Sequence, residues 1–203
     1  VNEQPHSWIV ELRQRLASPL PRKHPPGEPG LPGRAGRQAS ILVPLFVEAG
    51  ELWTLLTRRT DNLPTHKNQI AFPGGAVEAG EGTWEAAVRE THEEVGLEPK
   101  TVVPIGELDE IVSVSGFRVT PWVGAVPSPV VPRINTDEIA EAFPVPLTAV
   151  SNPRMIEDRV VEIDGHQRVL RVYHVGSRQI WGLTAGVLTN LLERLGMAPV
   201  VDE

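Results

Sequence analysis

The sequence predicts an α+β fold, a mixed β-sheet with helices on its faces. Three observations carry that reading. First, two apolar, partly alternating runs, residues 39–47 (ASILVPLFV) and 52–58 (LWTLLTR), flank Glu48-Ala49-Gly50-Glu51 and predict a β-hairpin. Second, residues 83–95 carry apolar side chains at helical spacing, with Gly96 as the stop. Third, residues 183–195 repeat that pattern near the end of the chain, with Val187, Leu188, Leu191, Leu192 and Leu195 facing inward and Gly196 ending the helix. Strands mixed with one central and one terminal helix bury their apolar surfaces in stacked layers.

Taken in order, residues 6–17 (HSWIVELRQRLA) have helical spacing through Trp8, Leu12 and Leu16, with Ser7 as N-cap and Pro19 and Pro21 as stops. This helix either packs back on the domain or reaches a partner subunit. Residues 19–36 are rich in proline, glycine and basic residues. Residues 27–36 (GEPGLPGRAG) follow Gly-X-Y, but so short a run makes a linker and not a collagen helix. The expected organisation is residues 1–38 as helix and linker, and residues 39–198 as one domain. After the hairpin, residues 61–69 are polar and turn-like, and residues 70–72 suit a short strand. Residues 102–107 and 118–126 read as strands, and residues 136–142 (TDEIAEA) as a short helix or turn. Residues 159–163 and 168–175 flank Asp164-Gly165, a hairpin signal. Trp181, in an apolar run, reads as core.

Bulk properties narrow the function. The chain has 203 residues, enough for one domain with a full core and short for two. Its net charge of −7 argues against a general nucleic-acid binder. An anionic substrate remains compatible, because a bound metal inverts the local field. With no cysteine there is no disulfide, thiolate nucleophile or zinc-thiolate site. No apolar run is long enough to span a bilayer and no signal-peptide pattern opens the sequence, so the expectation is a soluble cytoplasmic protein with no membrane partner.

The chemistry concentrates in residues 75–97 (GAVEAGEGTWEAAVRETHEEVGL). On a helix Glu94 lies about 40° from Glu90 and Glu93 about 60° to its other side, so three carboxylates share one arc. Trp84, Val88, Thr91 and Val95 project on a different, buried arc. Carboxylates crowded in this way repel one another unless a cation neutralises them, and hard oxygen ligands suit Mg²⁺ or Mn²⁺. Arg89 falls beside Glu85 and Glu93 at i±4 and can temper the repulsion. The competing reading is a solvated acidic helix face.

The same stretch resembles the signature of the Nudix hydrolases: Gly, five residues, Glu, seven residues, then Arg-Glu-U-x-Glu-Glu-x-Gly-U with U a bulky aliphatic. Gly75, Glu81, Arg89, Glu90, Glu93, Glu94, Gly96 and Leu97 stand at the required spacing, and Thr91 replaces the first aliphatic. The resemblance implies a Nudix α/β/α sandwich with a central mixed sheet, and metal-dependent hydrolysis of a diphosphate linked to another moiety. It implies Glu90 and Glu94 as leading metal ligands, with the Gly75 carbonyl joining them. It leaves Glu93 as a ligand, as the partner of Arg89 or as the base, and gives Glu81 the task of fixing the loop. A base can also come from a later loop, where Glu138 in Asn135-Thr136-Asp137-Glu138 is the candidate, with Glu141 behind it.

The flanks resemble the coenzyme A pyrophosphatase branch. Its extra motif runs Leu-Leu-Thr-x-Arg-(Ser/Ala)-x₃-Arg-x₃-Gly-x₃-Phe-Pro-Gly-Gly. Residues 55–60 (LLTRRT) and 69–75 (QIAFPGG) match it in spacing, with Thr60, Pro64 and Asn68 as departures. His66 or Lys67 could supply the charge lost at Pro64. Residues 114–121, 136–147 and 180–185 add to the likeness. The resemblance implies cleavage of coenzyme A to 4′-phosphopantetheine and 3′,5′-ADP, with Arg59, Arg58 and the Gly74-Gly75 turn as substrate contacts, and it suggests a homodimer. The alternatives are a Nudix enzyme for ADP-ribose, NADH or another nucleoside diphosphate derivative, and a catalytically silent Nudix ligand-binding module.

Overall fold

The computed structural model describes residues 5–17, 36–61, 67–113, 115–163 and 166–199. Most of the expected linker, Pro64, His66 and the Asp164-Gly165 turn lie outside the described residues. The described chain forms α1 (Pro5–Ala17), β1 (Gln38–Glu48), β2 (Glu51–Arg59), β3 (Ile70–Ala71), β4 (Gly74–Ala76) and α2 (Thr83–Val95). There follow β5 (Val103–Glu107), β6 (Ile111–Val112), β7 (Arg118–Ala125), β8 (Ile139–Pro146), α3 (Leu147–Val150), β9 (Ile156–Ile163), β10 (His166–Val175), β11 (Arg178–Ile180) and α4 (Gly182–Leu195).

The main sheet runs β3-β2-β1-β7-β5, with β4 on β1, β6 on β7 and β8 on β2. It is mixed, because β1 pairs in parallel with β7 and antiparallel with β2 and β4. Alternate side chains of β1 serve two cores. Leu42 and Phe46 meet Ala87, Val88 and Val95 of α2 on one face. Ile41, Val43 and Leu45 share the other core with Leu12 and Leu16 of α1 and Leu188, Leu191 and Leu192 of α4. The result is the expected α+β sandwich of helix, sheet and helix. A strand covered on both faces has no polar side to show, which is why the run over β1 alternates so weakly.

Two backbone details explain how β1 tolerates its sequence. Pro44 lacks an N–H, and it falls between the β4 ladder, which ends at Ile41, and the β2 ladder, which starts at Leu45. Its carbonyl accepts the buried Thr54 hydroxyl at 2.9 Å. The hairpin turn places Ala49 at φ 51° and Gly50 at φ 80°, the doubly left-handed pair of a type I′ turn.

Two expectations change, and of the two alternatives for the N-terminal helix the first is met. Residues 136–138 form a turn, but Ile139–Pro146 is a strand on β2, not a helix. Ile139, Phe143 and Val145 are buried, and Pro144 and Pro146 are tolerated because β8 is an edge strand. Trp181 is not core: it is 48% exposed, because the extended chain entering α4 turns Ile180 inward and Trp181 outward. The N-terminal helix packs on its own domain. Ile9, Leu12 and Leu16 are buried, Arg13 donates to the Pro104 carbonyl at 2.7 Å, and Arg194 of α4 donates to the Leu16 carbonyl at 3.1 Å. Among the described residues no helix is long and apolar enough to cross a membrane.

The docking of α1 can be tested by urea denaturation. Leu12→Ala should cost about 2–4 kcal/mol, the usual range for truncating a buried leucine. Val10→Ala on the exposed side of the same helix should change stability by less than about 0.5 kcal/mol.

Candidate active site

The site forms where α2 crosses the sheet edge at β4. Thr91 sits fully buried on the apolar side of α2, its hydroxyl satisfied by the Ala87 carbonyl at 2.6 Å. That seats the helix and turns Glu90 and Glu94 toward the Gly74-Gly75 turn. Gly96 ends the helix in the left-handed conformation at φ 72°.

Glu94 is only 4% exposed. One oxygen accepts the Gly74 N–H at 3.2 Å and the other faces Arg59 Nη1 at 3.6 Å. Burial pushes its carboxyl up to about 7; the Gly74 and Arg59 contacts pull the other way, and the charges of Glu90 and Glu138 add to the rise. Glu90 is raised too, first by burial, with Arg89 opposing and Glu93 and Glu138 adding. Glu138 therefore stands close enough for both carboxylates to feel its charge.

Arg89 is the hub of the acidic face. Its guanidinium makes a two-pronged contact with Glu81, at 2.8 and 3.1 Å, and also donates to Glu90 at 3.0 Å, Glu93 at 3.3 Å and the Ala76 carbonyl at 3.2 Å. Glu81 fixes the loop as expected, accepting the Glu78 N–H at 3.1 Å, and Arg89 holds its carboxyl below the ordinary range. The spacing suggested Glu85 beside Glu93 as a partner of Arg89. The dominant partner is instead Glu81, which the loop folds back over the helix start. Glu93 meets Arg89 on the exposed side of the helix.

The two consecutive arginines part company. Arg59 lies with Glu94 on the α2 side. Arg58 points to the opposite face, paired with Glu141 at 3.3 Å and donating to Asn68 at 2.9 Å. Glu141 is also held by Arg178, whose guanidinium lies 4.3 Å over the Phe143 ring. The structure therefore brings Glu90, Glu94, Glu93, Arg89, Arg59, Gly74, Gly75 and Glu138 together, and it places Arg58 and Glu141 elsewhere.

Glu138 is positioned by a small brace. Asn135 N–H donates to the Glu94 carbonyl at 2.9 Å, Thr60 N–H donates to the Glu138 carbonyl at 2.9 Å, and the Thr60 hydroxyl donates to the Asp137 carbonyl at 3.2 Å. Asn135 also accepts the Asp137 N–H on its side chain at 3.2 Å. Sequence reasoning missed Asn135 and Thr60 as supports, although Asn-x-Asp is a turn signal that could have found Asn135.

Carboxylates and backbone carbonyls are hard oxygen donors, so the donor set fits Mg²⁺ or Mn²⁺. Gly75 is cut to fit Glu90: a Cβ there would lie 2.5 and 2.6 Å from its carboxylate oxygens. Among the described residues no three acidic or histidine side chains already close around one point. Arg59 and Arg89 lie as counter-charges to Glu94 and Glu90.

Comparison with known proteins identifies the family and the fold. A family model described as the NUDIX domain matches residues 36–163. The chain belongs to the Nudix hydrolase family. It is 36% identical over 164 residues to "Uncharacterized Nudix hydrolase NudL" of Enterobacter sp. (strain 638), covering 80% of this chain and 85% of the relative. It is 34% identical over 188 residues to the protein of that name from Klebsiella pneumoniae subsp. pneumoniae, covering 92% and 93%. Among solved structures it is similar in fold to a Nudix hydrolase from M. smegmatis, RenU, with a TM-score of 0.55, 19% identity, and 82% and 90% of the two chains covered. A MutT/nudix family protein from Enterococcus faecalis gives a TM-score of 0.56 at 16% identity, covering 96% and 71%.

Two measurements test this geometry. Gly74 has φ 149°, and a Cβ there would meet the Ser40 carbonyl and lie 2.5 Å from Ile41 Cα, both backbone. Gly74→Ala should therefore destabilise the fold by about 2–4 kcal/mol in denaturant titrations. Gly75→Ala displaces only the end of a flexible side chain, so it should keep most stability but lower turnover by about 10- to 100-fold.

The second concerns pH. Unfolded, Glu94 ionises near its ordinary 4.5, whereas folded it does so near 7. The folded state therefore binds the proton more tightly. Without divalent cation, stability should fall as pH rises from about 4.5 through about 7, by on the order of 3 kcal/mol for this group. Thermal melts in chelator should show Glu94→Gln more stable than wild type at pH 8. Mn²⁺ should raise the wild-type midpoint far more than that of the variant.

Proposed function

We propose that the protein hydrolyses the diphosphate bond of coenzyme A or a derivative, releasing 4′-phosphopantetheine and 3′,5′-ADP, with Mg²⁺ or Mn²⁺ as cofactor. One observation carries the hydrolytic part. Glu90 and Glu94, one turn apart and drawn out of solvent, converge on the Gly74-Gly75 turn. Glu90, Glu94 and the Gly75 carbonyl would hold the cation, with Glu93 as a further ligand from the exposed side. When bound, the cation neutralises diphosphate oxygens and makes a water more acidic.

The rest falls to the chain's own residues. Arg59 and the backbone of Gly74-Gly75 bind phosphate oxygens, a guanidinium being matched in shape to phosphate. Glu138 accepts the proton of the attacking water as that water bonds to phosphorus and the bridging P–O bond breaks. Its braced backbone and closeness to both carboxylates support that role, and Glu93 is the other candidate. Arg89 acts at one remove, holding Glu90 and Glu93 in place.

The coenzyme A part rests on the flanking motif, and the backbone strengthens it. Asn68 stands where the motif has glycine and adopts φ 57°, the left-handed region that glycine and asparagine share. This departure therefore preserves the turn. Arg58 no longer enters the reading as a substrate contact, because Glu141 and Asn68 occupy it.

The test is product analysis with Mg²⁺ or Mn²⁺ and a panel of coenzyme A, acyl-coenzyme A, ADP-ribose, NADH and nucleoside triphosphates. The expected products are 4′-phosphopantetheine and 3′,5′-ADP, with Glu94→Gln at least about 100-fold slower. Rapid ADP-ribose turnover beside inert coenzyme A would move the assignment to the other substrate class. No turnover of any substrate would leave a ligand-binding module.

A further inference from the structure

We propose that Arg59 is an internal counter-ion for Glu94 that the cation displaces, so that cation binding releases the guanidinium to receive the substrate's phosphate. This rests on the metal-dependent diphosphate chemistry proposed above.

The two oxygens of Glu94 are held in different ways. The Gly74 N–H belongs to the backbone, fixed by strand pairing of β4 with β1, and cannot leave. Arg59 is a side chain at the end of β2, and its contact is a single ion pair of 3.6 Å, long for a charge-assisted hydrogen bond. A cation approaching Glu94 therefore takes the oxygen that Arg59 faces. A dication and a guanidinium repel, so the two compete for it.

Among the described residues the buried Arg59 Nε–H meets no hydrogen-bond acceptor. A buried donor left idle is unfavourable, and here it belongs to the arginine that faces Glu94 from the end of β2. Moving off Glu94 puts Nε and Nη to use as a fork for phosphate oxygens. Arg58, next in the chain, gives the contrast: Glu141 and Asn68 tie it down on the far face. Arg89 cannot make the exchange either, because Glu81 grips it with two hydrogen bonds.

The device gives the site an order. Without the cation, Arg59 tempers the repulsion between Glu94, Glu90 and Glu138. With the cation, that positive charge is redundant at Glu94 and is handed to the substrate.

The test measures Mn²⁺ binding by electron paramagnetic resonance without substrate, then binding of imidodiphosphate at saturating Mn²⁺. Arg59→Gln should bind Mn²⁺ about tenfold tighter than wild type and imidodiphosphate about tenfold weaker, while Arg58→Gln should leave Mn²⁺ affinity within about twofold. Arg59→Lys keeps the charge without the fork, so it should keep wild-type Mn²⁺ affinity and still lose imidodiphosphate affinity. If Arg59→Gln does not fold, Arg59→Met, which also removes the charge, carries the same two expectations. Wild-type affinities for both ligands in any Arg59 variant would overturn the exchange and leave the hydrolytic reading standing. Failure of the wild type to bind Mn²⁺ would overturn both.

Discussion

The candidate site depends on carboxylates crowded against a sheet edge. Glu90, Glu93 and Glu94 lie on one helix, and Glu138 joins them from the turn before β8. Burial raises the proton affinity of Glu94 and Glu90, and the neighbouring carboxylate charges add to the rise. The fold tolerates them through two arginines of different character. Arg89 is gripped by Glu81 and ties loop, strand and helix together. Arg59 touches Glu94 loosely. One is a structural rivet and the other a charge that can be moved.

The sheet decides where those charges meet. β1 is covered on both faces, so α2 on one side and α4 with α1 on the other are positioned by the same strand. β4 borrows the first third of β1, and with it the glycine turn is fixed against α2. The carboxylates and their glycines thus come from segments that the sheet brings together and not from one flexible loop. Precision of that kind is what a site handling several charges within hydrogen-bond distance requires.

Much of this was legible in the sequence. α2 and α4 were readable to within a residue, because their apolar spacing and C-terminal glycines agree. The hairpin of β1 and β2 was readable because two apolar, partly alternating runs flank a four-residue break. β8 was not, since Thr136-Asp137-Glu138 looks like a helix start and two prolines argue against a strand; only its place at the sheet edge makes that sequence a strand. Trp181 misled for a similar reason: an apolar run says that something is buried, and strand alternation alone decides which residue. At the site, the acidic arc on α2 was visible from helical geometry, whereas Glu81 as the main partner of Arg89 was not. That contact depends on how a seven-residue gap folds back, and no periodicity encodes it.

The pair Arg58-Arg59 shows why adjacency in a motif says little about shared purpose. Both belong to the same short match, and both carry the same charge. Strand alternation sends them to opposite faces of one sheet. On the α4 side Arg178 and Arg58 clamp Glu141, drawing its carboxyl below the ordinary range, and Arg178 lies over Phe143. On the α2 side Arg59 meets a carboxylate whose proton affinity burial has raised. The same ion-pair chemistry therefore gives two outcomes. Where each acid has a firm cationic partner the pair is spent on holding strands together. Where acids outnumber firm partners, the unmet charge is what a cation can bind.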